Sequence, residues 1–393
     1  MPEDSSTAPL RVGLVLDDSL DRPDGVQQHV LTLGAWLSAQ GHHVCYLAPS
    51  TVRDDLPHLA VLGSSIQVRY NGNRLSTPRP ASARRLRQIL QEERLDVLNV
   101  AMPYSPFMAG RLVARSSSTT AVVGTFHILP ASHWVEKAAH GLGLLQRSRL
   151  RRFDRVLAVS EPAKAFADNA FGLDCTVVSN PVDVGLFARA TVDDRPTTAQ
   201  DDAPVHLVFL GRLVERKGPA ELLAAVAALH SRGGVPTALQ VTVAGRGPLL
   251  DELTRQASDL GIADVVLFPG YVAEEDKAAL LASADLVVLP STGGESFGIS
   301  VVEALAASGG AVIVGDNPGY RAVMGELTDQ LVDPTDTRRF AEVLARYVDD
   351  ASLRSAARDR QRALAWQYDI GTVGPLIVEA YRDALRRRRP PQV

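Results

Sequence analysis

Cysteine is scarce in this chain: Cys45 and Cys175 are the only two among 393 residues, and they lie far apart. That excludes a disulfide framework and any cysteine-based metal knuckle, and leaves two reduced thiols in strand-like surroundings. No apolar run approaches the ~18 residues of a spanning helix, so membrane contact is confined to the surface. The opening MPEDSSTAPL is acidic and polar, unlike the cationic and then apolar start of a secretory signal. The chain therefore reads as cytoplasmic, at most peripheral on a membrane face. Neither charge dominates: 41 Lys and Arg against 45 Asp and Glu leave a net charge of -4. That rules out a general polyanion binder, nucleic acid included, so any anionic partner is met locally. There is no G-x-G-x-x-G after the first strand and no Walker A segment, which argues against a dehydrogenase or a P-loop enzyme.

What is present is a rhythm. Hydrophobic content of 46% and charged content of 22% are ordinary for a globular protein, and the length suits two domains. Short β-branched runs alternate with alanine- and leucine-rich helical stretches. Strands are expected at 11–16, 43–47, 66–70, 96–100, 121–126 and 155–160, then at 205–211, 239–245, 265–270, 285–290 and 311–315, with helices such as Val26–Ala39 and Ala83–Glu93 between them. Near-continuous apolar strands covered by helices mean parallel sheets. Eleven units are too many for one ordinary sheet, so the expectation is α/β, two doubly wound domains facing a cleft. The polar, acidic and proline-containing stretch TVDDRPTTAQDDAP (191–204) reads as the linker between domains at 1–190 and 205–367. A helix at about 368–389 is expected to cross back onto the first domain. Its end, Arg386–Arg389, reads as a solvated tail or as a contact to anionic lipid.

In open α/β sheets, ligands sit beyond the carboxyl ends of the strands. After the first strand, Gly25 stands where a helix starts, with Asp24 as its N-cap; it is either a loop glycine or a place for a phosphate or sugar to approach the backbone. After 121–126 comes His127, either structural or a hydrogen-bond donor to a substrate oxygen. After 205–211 come Arg212 and Lys217, just before Gly218-Pro219 and a helix. Two cations and a helix N-terminus aimed at one spot suit a diphosphate; a solvated basic turn is the alternative. Gly247 and Tyr271 follow the next two strands, the latter where a base could rest.

The last strand-following stretch reads GGESFGISVVEALAASGGA (293–311). Glu295 falls on a glycine-rich turn. Gly298 opens a helix with Ile299, Val302, Leu305 and Ala306 on one face, and Glu303 lies on that helix. Carboxylates on two different elements do not suit a shared-proton dyad. They suit division of labour: Glu295 to sugar hydroxyls, Glu303 to a ribose, and the N–H groups of Gly298 and Ile299, next to Ser296 and Phe297, to phosphate oxygens.

These segments resemble a known family. GGESFGISVVEALAASGGAVIVGDNPGYRAVM resembles the E-x7-E signature region of the retaining family-4 glycosyltransferases, and FLGRLVERKGPAELLAAV resembles their diphosphate-binding segment. DRPDGVQQHVLTLGAWLSAQGHHV, VLAVSEPAK and VSNPVDVGLF resemble N-terminal segments in the same order, so the likeness spans both halves. The resemblance implies the GT-B fold, two Rossmann-like domains. It implies a nucleotide-sugar donor (GDP-mannose, or a UDP-hexose), no tightly bound cofactor and no required metal. Arg212 and Lys217 then match the diphosphate clamp, Glu295 the sugar-contacting glutamate, Glu303 the ribose glutamate, and Gly25 and His127 the N-terminal contacts. Retention is expected through same-face substitution without a protein nucleophile, unlike the two-carboxylate chemistry of most glycosidases.

Within the family, Gly25-Val26-Gln27, Tyr70-Asn71-Gly72 and the helix with Arg84, Arg85 and Arg87 resemble the phosphatidylinositol mannosyltransferases. That implies Gln27, Tyr70 and Asn71 at an inositol-phosphate head group, and the three arginines at an anionic membrane surface. With Leu86, Ile89 and Leu90 they are expected to form a cationic amphipathic face; an ordinary surface helix is the alternative. The chain departs from those relatives in carrying Asp24-Gly25 for a Gly-Gly pair, NPVD (180–183) for NGVD, and no His-Glu pair in AMPYSPFM (101–108). An epimerase would call for more cleft carboxylates and histidines, a phosphorylase for a cofactor-lysine motif that is not found. A non-catalytic nucleotide-sugar binder would have little reason to keep Arg212, Lys217, Glu295 and Glu303 together.

Overall fold

The computed structural model describes residues 8–21, 24–63, 65–70, 73–78, 81–130, 141, 143, 146–193, 204–231 and 239–388. Two compact units emerge. One runs to Pro181 and resumes at Ile370; the other is Val182–Asp369.

The first unit is built on a parallel sheet of seven strands: β1 (Arg11–Val15), β2 (His43–Ala48), β3 (Leu59–Val61), β6 (Val97–Val100), β7 (Ala121–Phe126), β8 (Arg155–Ala158) and β9 (Cys175–Val177). Their order is β3-β2-β1-β6-β7-β8-β9, so the direction of winding reverses between β1 and β6. Burial explains the strand sequences: Ala121–Phe126 is buried at every position, as a strand covered on both faces must be. Helices α1 (Gly25–Ala39), α2 (Ala83–Glu93), α3 (Met108–Val113) and α4 (Glu161–Phe171) follow strands of this unit. Ser160 caps α4 by accepting the Ala163 N–H at 3.2 Å.

The strand expected at 66–70 is corrected. β4 (Ser65–Tyr70) lies outside the large sheet and pairs antiparallel with β5 (Asn73–Pro78) in a two-stranded sheet of its own. The reason is legible: Ile66, Val68 and Tyr70 alternate with Gln67 and Arg69, the pattern of a strand with one wet face, and Asn71-Gly72 is a strong hairpin signal.

The C-terminal helix, α13 (Ile370–Arg388), returns to this unit and packs on α1, β7 and β8. Asn99 on β6 donates to the Tyr381 hydroxyl at 2.6 Å, deep in the core. The reading of the terminal arginines as a free tail is corrected for those described. Arg388 Nε bonds Asp154 at 2.6 Å and Arg387 lies 3.4 Å from Asp383, so the last turn is fastened to the sheet and to its own helix.

The second unit has a six-stranded parallel sheet in the order β12-β11-β10-β13-β14-β15: β10 (Val205–Leu210), β11 (Leu239–Ala244), β12 (Val266–Gly270), β13 (Leu286–Leu289), β14 (Ala311–Gly315) and β15 (Leu331–Val332). Its helices are α5 (Val184–Asp193), α6 (Pro219–His230), α7 (Leu250–Asp259), α8 (Glu274–Ser283), α9 (Ile299–Ala307), α10 (Pro318–Met324), α11 (Thr337–Asp349) and α12 (Ala351–Ala365). Although α5 precedes the acidic stretch, it packs against α8 and α9. The expectation of one apolar face on α9 is also corrected. Ile299, Val301, Val302, Leu305, Ala306 and Ala307 are all buried, so the helix is apolar nearly all round and Glu303 is sunk in it. Both cysteines are buried and free, and burial pushes the Cys45 thiol up to about 12.

Among the described residues, no helix is long and apolar enough to cross a membrane.

Candidate active site

In the second unit the winding direction reverses between β10 and β13, and the loops after these two strands carry the charged residues singled out in the sequence. The loop after β10 contains a short 3-10 turn, Glu215–Lys217, ended by Gly218. Gly218 has φ 72, and a Cβ there would lie 2.0 Å from the Pro290 carbonyl oxygen. Only glycine lets this loop lie against the one after β13. Ser291 hydroxyl donates to the Arg216 carbonyl at 2.7 Å and Thr292 N–H to the same oxygen at 3.0 Å, completing the seam.

Glu295 is the centre of the seam. Lys217 Nζ lies 2.9 Å from its Oε1, Arg216 forms a charge-assisted hydrogen bond to the same oxygen, and Ser291 hydroxyl donates to it at 3.1 Å. Burial opposes the charge on both partners, but their mutual attraction wins. The Lys217 and Arg216 charges hold the Glu295 carboxyl below its ordinary range, and Tyr320 and Glu295 lift the Lys217 ammonium above its own. Glu295 is therefore a carboxylate at neutral pH, fit to accept from hydroxyls and unfit to donate a proton.

Tyr320 is buried beneath this pair. Its hydroxyl accepts from Lys217 Nζ at 3.4 Å, and its ring fills the space a Cβ on Gly298 would need, with the nearest ring carbon 2.7 Å away. Gly298 caps α9 at φ 126, a conformation open to glycine alone. Asn317 caps α10 by accepting the Tyr320 N–H at 3.0 Å and donates to the Ser291 carbonyl at 3.0 Å. The cap thus ties the tyrosine to the loop after β13. Phe297 and Ile299 point into the core, with Phe297 edge-on to Tyr368 at 5.4 Å; of these two only the backbone is available to a ligand. Ser296 is half-buried on the same turn.

Glu303 is buried with Lys277 Nζ at 3.6 Å, and Lys277 also reaches Glu274 at 2.8 Å. Burial acts against the Lys277 charge, and the two glutamates more than restore it. Arg212 and Gly247 lie on neighbouring loops laced by two bonds: Leu213 N–H to the Arg246 carbonyl, 3.0 Å, and Leu249 N–H to the Leu213 carbonyl, 3.3 Å. Tyr271 is exposed, with the Arg246 guanidinium stacked 4.9 Å over its ring. The second unit thus gathers Lys217 and Glu295 directly, with Gly298 joined to them through Tyr320. Arg212, Gly247 and Tyr271 lie on adjoining loops, and Glu303 is held by its own cation one helical turn into α9.

The carboxyl edge of the first sheet is different in kind. His127, directly after β7, stacks edge-on against His29 of α1 with ring centroids 4.6 Å apart. His29 Nδ1 faces Asn180 Oδ1 at 2.9 Å, which places the proton of the neutral ring on Nδ1. Burial lowers the His29 pKa to about 4 against the opposing Asn180 bond; burial, with His29 beside it, takes His127 well below its usual value. Both rings are neutral at physiological pH. Gly25 begins α1, and Asp24 is its N-cap residue. The buried Gln27 side chain donates to Asp18 at 3.3 Å and to the Ser19 carbonyl at 3.1 Å, so it shapes the loop after β1. Asn71 and the side chain of Tyr70 lie outside the described residues.

The arginine helix is corrected in part. Arg84, Arg85 and Arg87 are exposed, but Leu86 and Ile89 are buried in the core of the first unit. The apolar side of α2 faces inward, leaving a cationic ridge without an apolar face for insertion.

Arg216, Lys277, Tyr320, His29 and Asn180 were not singled out from sequence. Arg216 and Tyr320 fall inside the motif strings, and His29 sits one helical turn past Gly25, a spacing that could have flagged it. Lys277 carried no local signal.

The comparisons with known proteins agree with this architecture. The family described as "Glycosyl transferases group 1" matches residues 192–364, and "Glycosyltransferase Family 4" matches residues 23–186. A phosphatidyl-myo-inositol mannosyltransferase of Mycolicibacterium smegmatis is 34% identical over 378 residues, covering 95% of this chain and 93% of the relative. A GDP-mannose-dependent alpha-(1-6)-phosphatidylinositol monomannoside mannosyltransferase of Mycobacterium tuberculosis is 29% identical, covering 91% of this chain and 95% of the relative. Among solved structures, Anabaena Alr3699/HepE in complex with UDP and glucose superposes with a TM-score of 0.72 at 18% identity, covering 95% of this chain and 99% of that one. With two parallel-sheet α/β units and both halves matched, the chain belongs to the family-4 glycosyltransferases and has the GT-B fold.

Proposed function

We propose that this glycosyltransferase moves mannose from GDP-mannose to the inositol ring of phosphatidylinositol, with retention at the anomeric carbon, at an anionic membrane surface on the cytoplasmic side. The observation that carries the reading is the seam of Lys217, Arg216 and Glu295 at the winding reversal of the second sheet, in a chain 34% identical to a phosphatidyl-myo-inositol mannosyltransferase. The name of the 29% identical relative supports GDP-mannose as donor.

In this reading Arg212 and Lys217 take the donor diphosphate, and the Gly298 and Ile299 N–H groups at the start of α9 add to them. Glu295, ionised by its cations, accepts from hydroxyls of the transferring sugar. Glu303, held by Lys277, accepts from the ribose. Gly247 and Tyr271 flank the base. Departure of the diphosphate develops charge that Lys217 and Arg212 meet, without a metal in that role. The leaving oxygen takes the acceptor proton on the same face, so no protein nucleophile forms a bond to the sugar. His127 stays neutral and offers a hydrogen bond to the donor sugar, with Gly25 giving close backbone approach. Gln27, Tyr70 and Asn71 belong to the acceptor side. Arg84, Arg85 and Arg87 meet anionic lipid as point charges, since no apolar face accompanies them.

The test is transfer of labelled sugar from GDP-mannose, with UDP-glucose and UDP-N-acetylglucosamine in parallel, to liposomes with and without phosphatidylinositol, followed by NMR of the product's anomeric linkage. Mannose transferred only to phosphatidylinositol vesicles, in α linkage, is the expected result. Transfer from a UDP-sugar, or to vesicles lacking the lipid, overturns the donor or acceptor assignment, and β linkage overturns retention.

A further inference from the structure

Away from the carboxyl edges, at the amino end of the first sheet, three side chains with metal-binding donors converge. His43 opens β2, His58 stands just before β3, and Glu93 closes α2. One donor atom from each lies within 4.8 Å of the others. His43 Nε2 is 2.8 Å from Glu93 Oε2, and the His43 and His58 rings stack with centroids 4.4 Å apart. His58 is exposed, while the His43 and Glu93 side chains are 23% and 18% exposed. The site is open on one side and walled on the other.

The backbone is unusual at the same place. Among the described residues, the non-glycine positions at positive φ are His58 at 50° and Arg94 at 45°, and Arg94 directly follows Glu93. The left-handed conformation costs an ordinary residue about 1–2 kcal/mol. Both instances aim or end the segments that bring His58 and Glu93 to His43. The Tyr46 N–H bonds the His58 carbonyl at 3.2 Å, so the strained residue is pinned to the sheet edge.

The cluster also holds a cation's charge already. Arg11 Nη2 lies 3.2 Å from His43 Nε2 and 3.5 Å from Glu93 Oε2, while Arg11 Nε donates to the Glu93 carbonyl at 2.6 Å. The Nε bond anchors the guanidinium to backbone, so its outer Nη2 is the end free to swing away when another cation takes the carboxylate.

We propose that His43, His58 and Glu93 form a binding site for a divalent transition-metal ion, zinc foremost. Two imidazoles and one carboxylate are borderline-soft donors suited to zinc and poorly suited to magnesium or calcium. Three protein ligands leave a fourth position for water on the exposed side. The ion ties the end of α2, the helix bearing Arg84, Arg85 and Arg87, to the edges of β2 and β3. This site goes beyond the proposed transfer reaction and takes no part in it.

The experiment is zinc titration of the untagged full-length chain by calorimetry, with cobalt absorption as the reporter of coordination. Zinc should bind one-to-one with a micromolar or tighter constant, cobalt should give a visible band that zinc quenches, and zinc should raise the melting temperature. His58→Asn tolerates the left-handed backbone but removes the imidazole, and Glu93→Gln removes the charged ligand; each should weaken binding at least tenfold. Arg11→Gln removes the competing cation and should tighten it severalfold. The absence of saturable binding overturns the proposal. So does wild-type affinity in folded His58→Asn and Glu93→Gln, which would place the ion elsewhere.

Discussion

The two sheets share a fold and differ in what stands at their carboxyl edges. The second collects formal charge: Lys217 and Arg216 on Glu295, Lys277 on Glu303. The first collects neutral polarity: His29 against His127, with Asn180 holding the first ring. Burial acts on both edges and has opposite outcomes. Where cation and anion face each other it is outweighed and the charges persist; where two imidazoles face each other it is reinforced and they stay neutral. One edge is thus prepared for a diphosphate, and the other for hydrogen bonds to uncharged hydroxyls.

The sharpest way to break this contrast is to remove a charge from the second edge. Lys217→Ala should lower transfer by about 10²–10³, the scale of losing one preorganised electrostatic contact to the transition state, with circular dichroism unchanged. Transfer within twofold of wild type would mean that the clamp lies elsewhere.

The next test uses pH. His29 has a folded pKa of about 4, below its unfolded value near 6.5. The unfolded chain therefore takes up a proton first as pH falls, and stability present above pH 6.5 is lost progressively toward pH 4, by about 3 kcal/mol for this group. Glu295, held below its ordinary value, contributes stability that survives this window and is lost only in stronger acid. Melting temperatures from pH 7.5 to 4 should fall in wild type and flatten in His29→Gln. Parallel curves for the two proteins would show that the ring is solvated.

Lys277→Met is a milder probe. It strips Glu303 of its cation and leaves a buried carboxylate that takes up a proton. Affinity for GDP should fall about tenfold while binding of mannose analogues through Glu295 is spared; equal GDP affinity would detach Glu303 from the ribose. The smallest effect belongs to the arginine ridge. Each of Arg84, Arg85 and Arg87 changed to Ser should weaken binding to anionic vesicles by about 1 kcal/mol, and added salt should erase the difference. A loss that survives high salt would point to apolar insertion instead, against the buried placement of Leu86 and Ile89.

Much of this site could be read before the fold was known, for a definite reason. Arg212, Lys217, Glu295 and Gly298 follow apolar strands within a few residues, and a parallel sheet sends everything that follows a strand to one edge. Lys277 and Asn180 escaped because their partners lie far along the chain: Lys277 meets Glu303 from a different helix, and Asn180 meets His29 from the opposite end of its unit. The helix Ala83–Glu93 was legible to its last residue. Which way its leucine and isoleucine pointed was not, because an amphipathic stripe has the same period whether it faces a core or a membrane.

Two α/β sheets, the strand-following loops and the family were determined by the sequence alone, since hydrophobic period and local motifs are properties of neighbouring residues. The partners of each charge were decided only by tertiary structure. Arg216 shares Glu295 with Lys217, Tyr320 props both Gly298 and Lys217, and His43, His58 and Glu93 meet at one corner. Those meetings depend on strand order and on where a chain reverses, and a contact between distant residues leaves no trace in the spacing of either one.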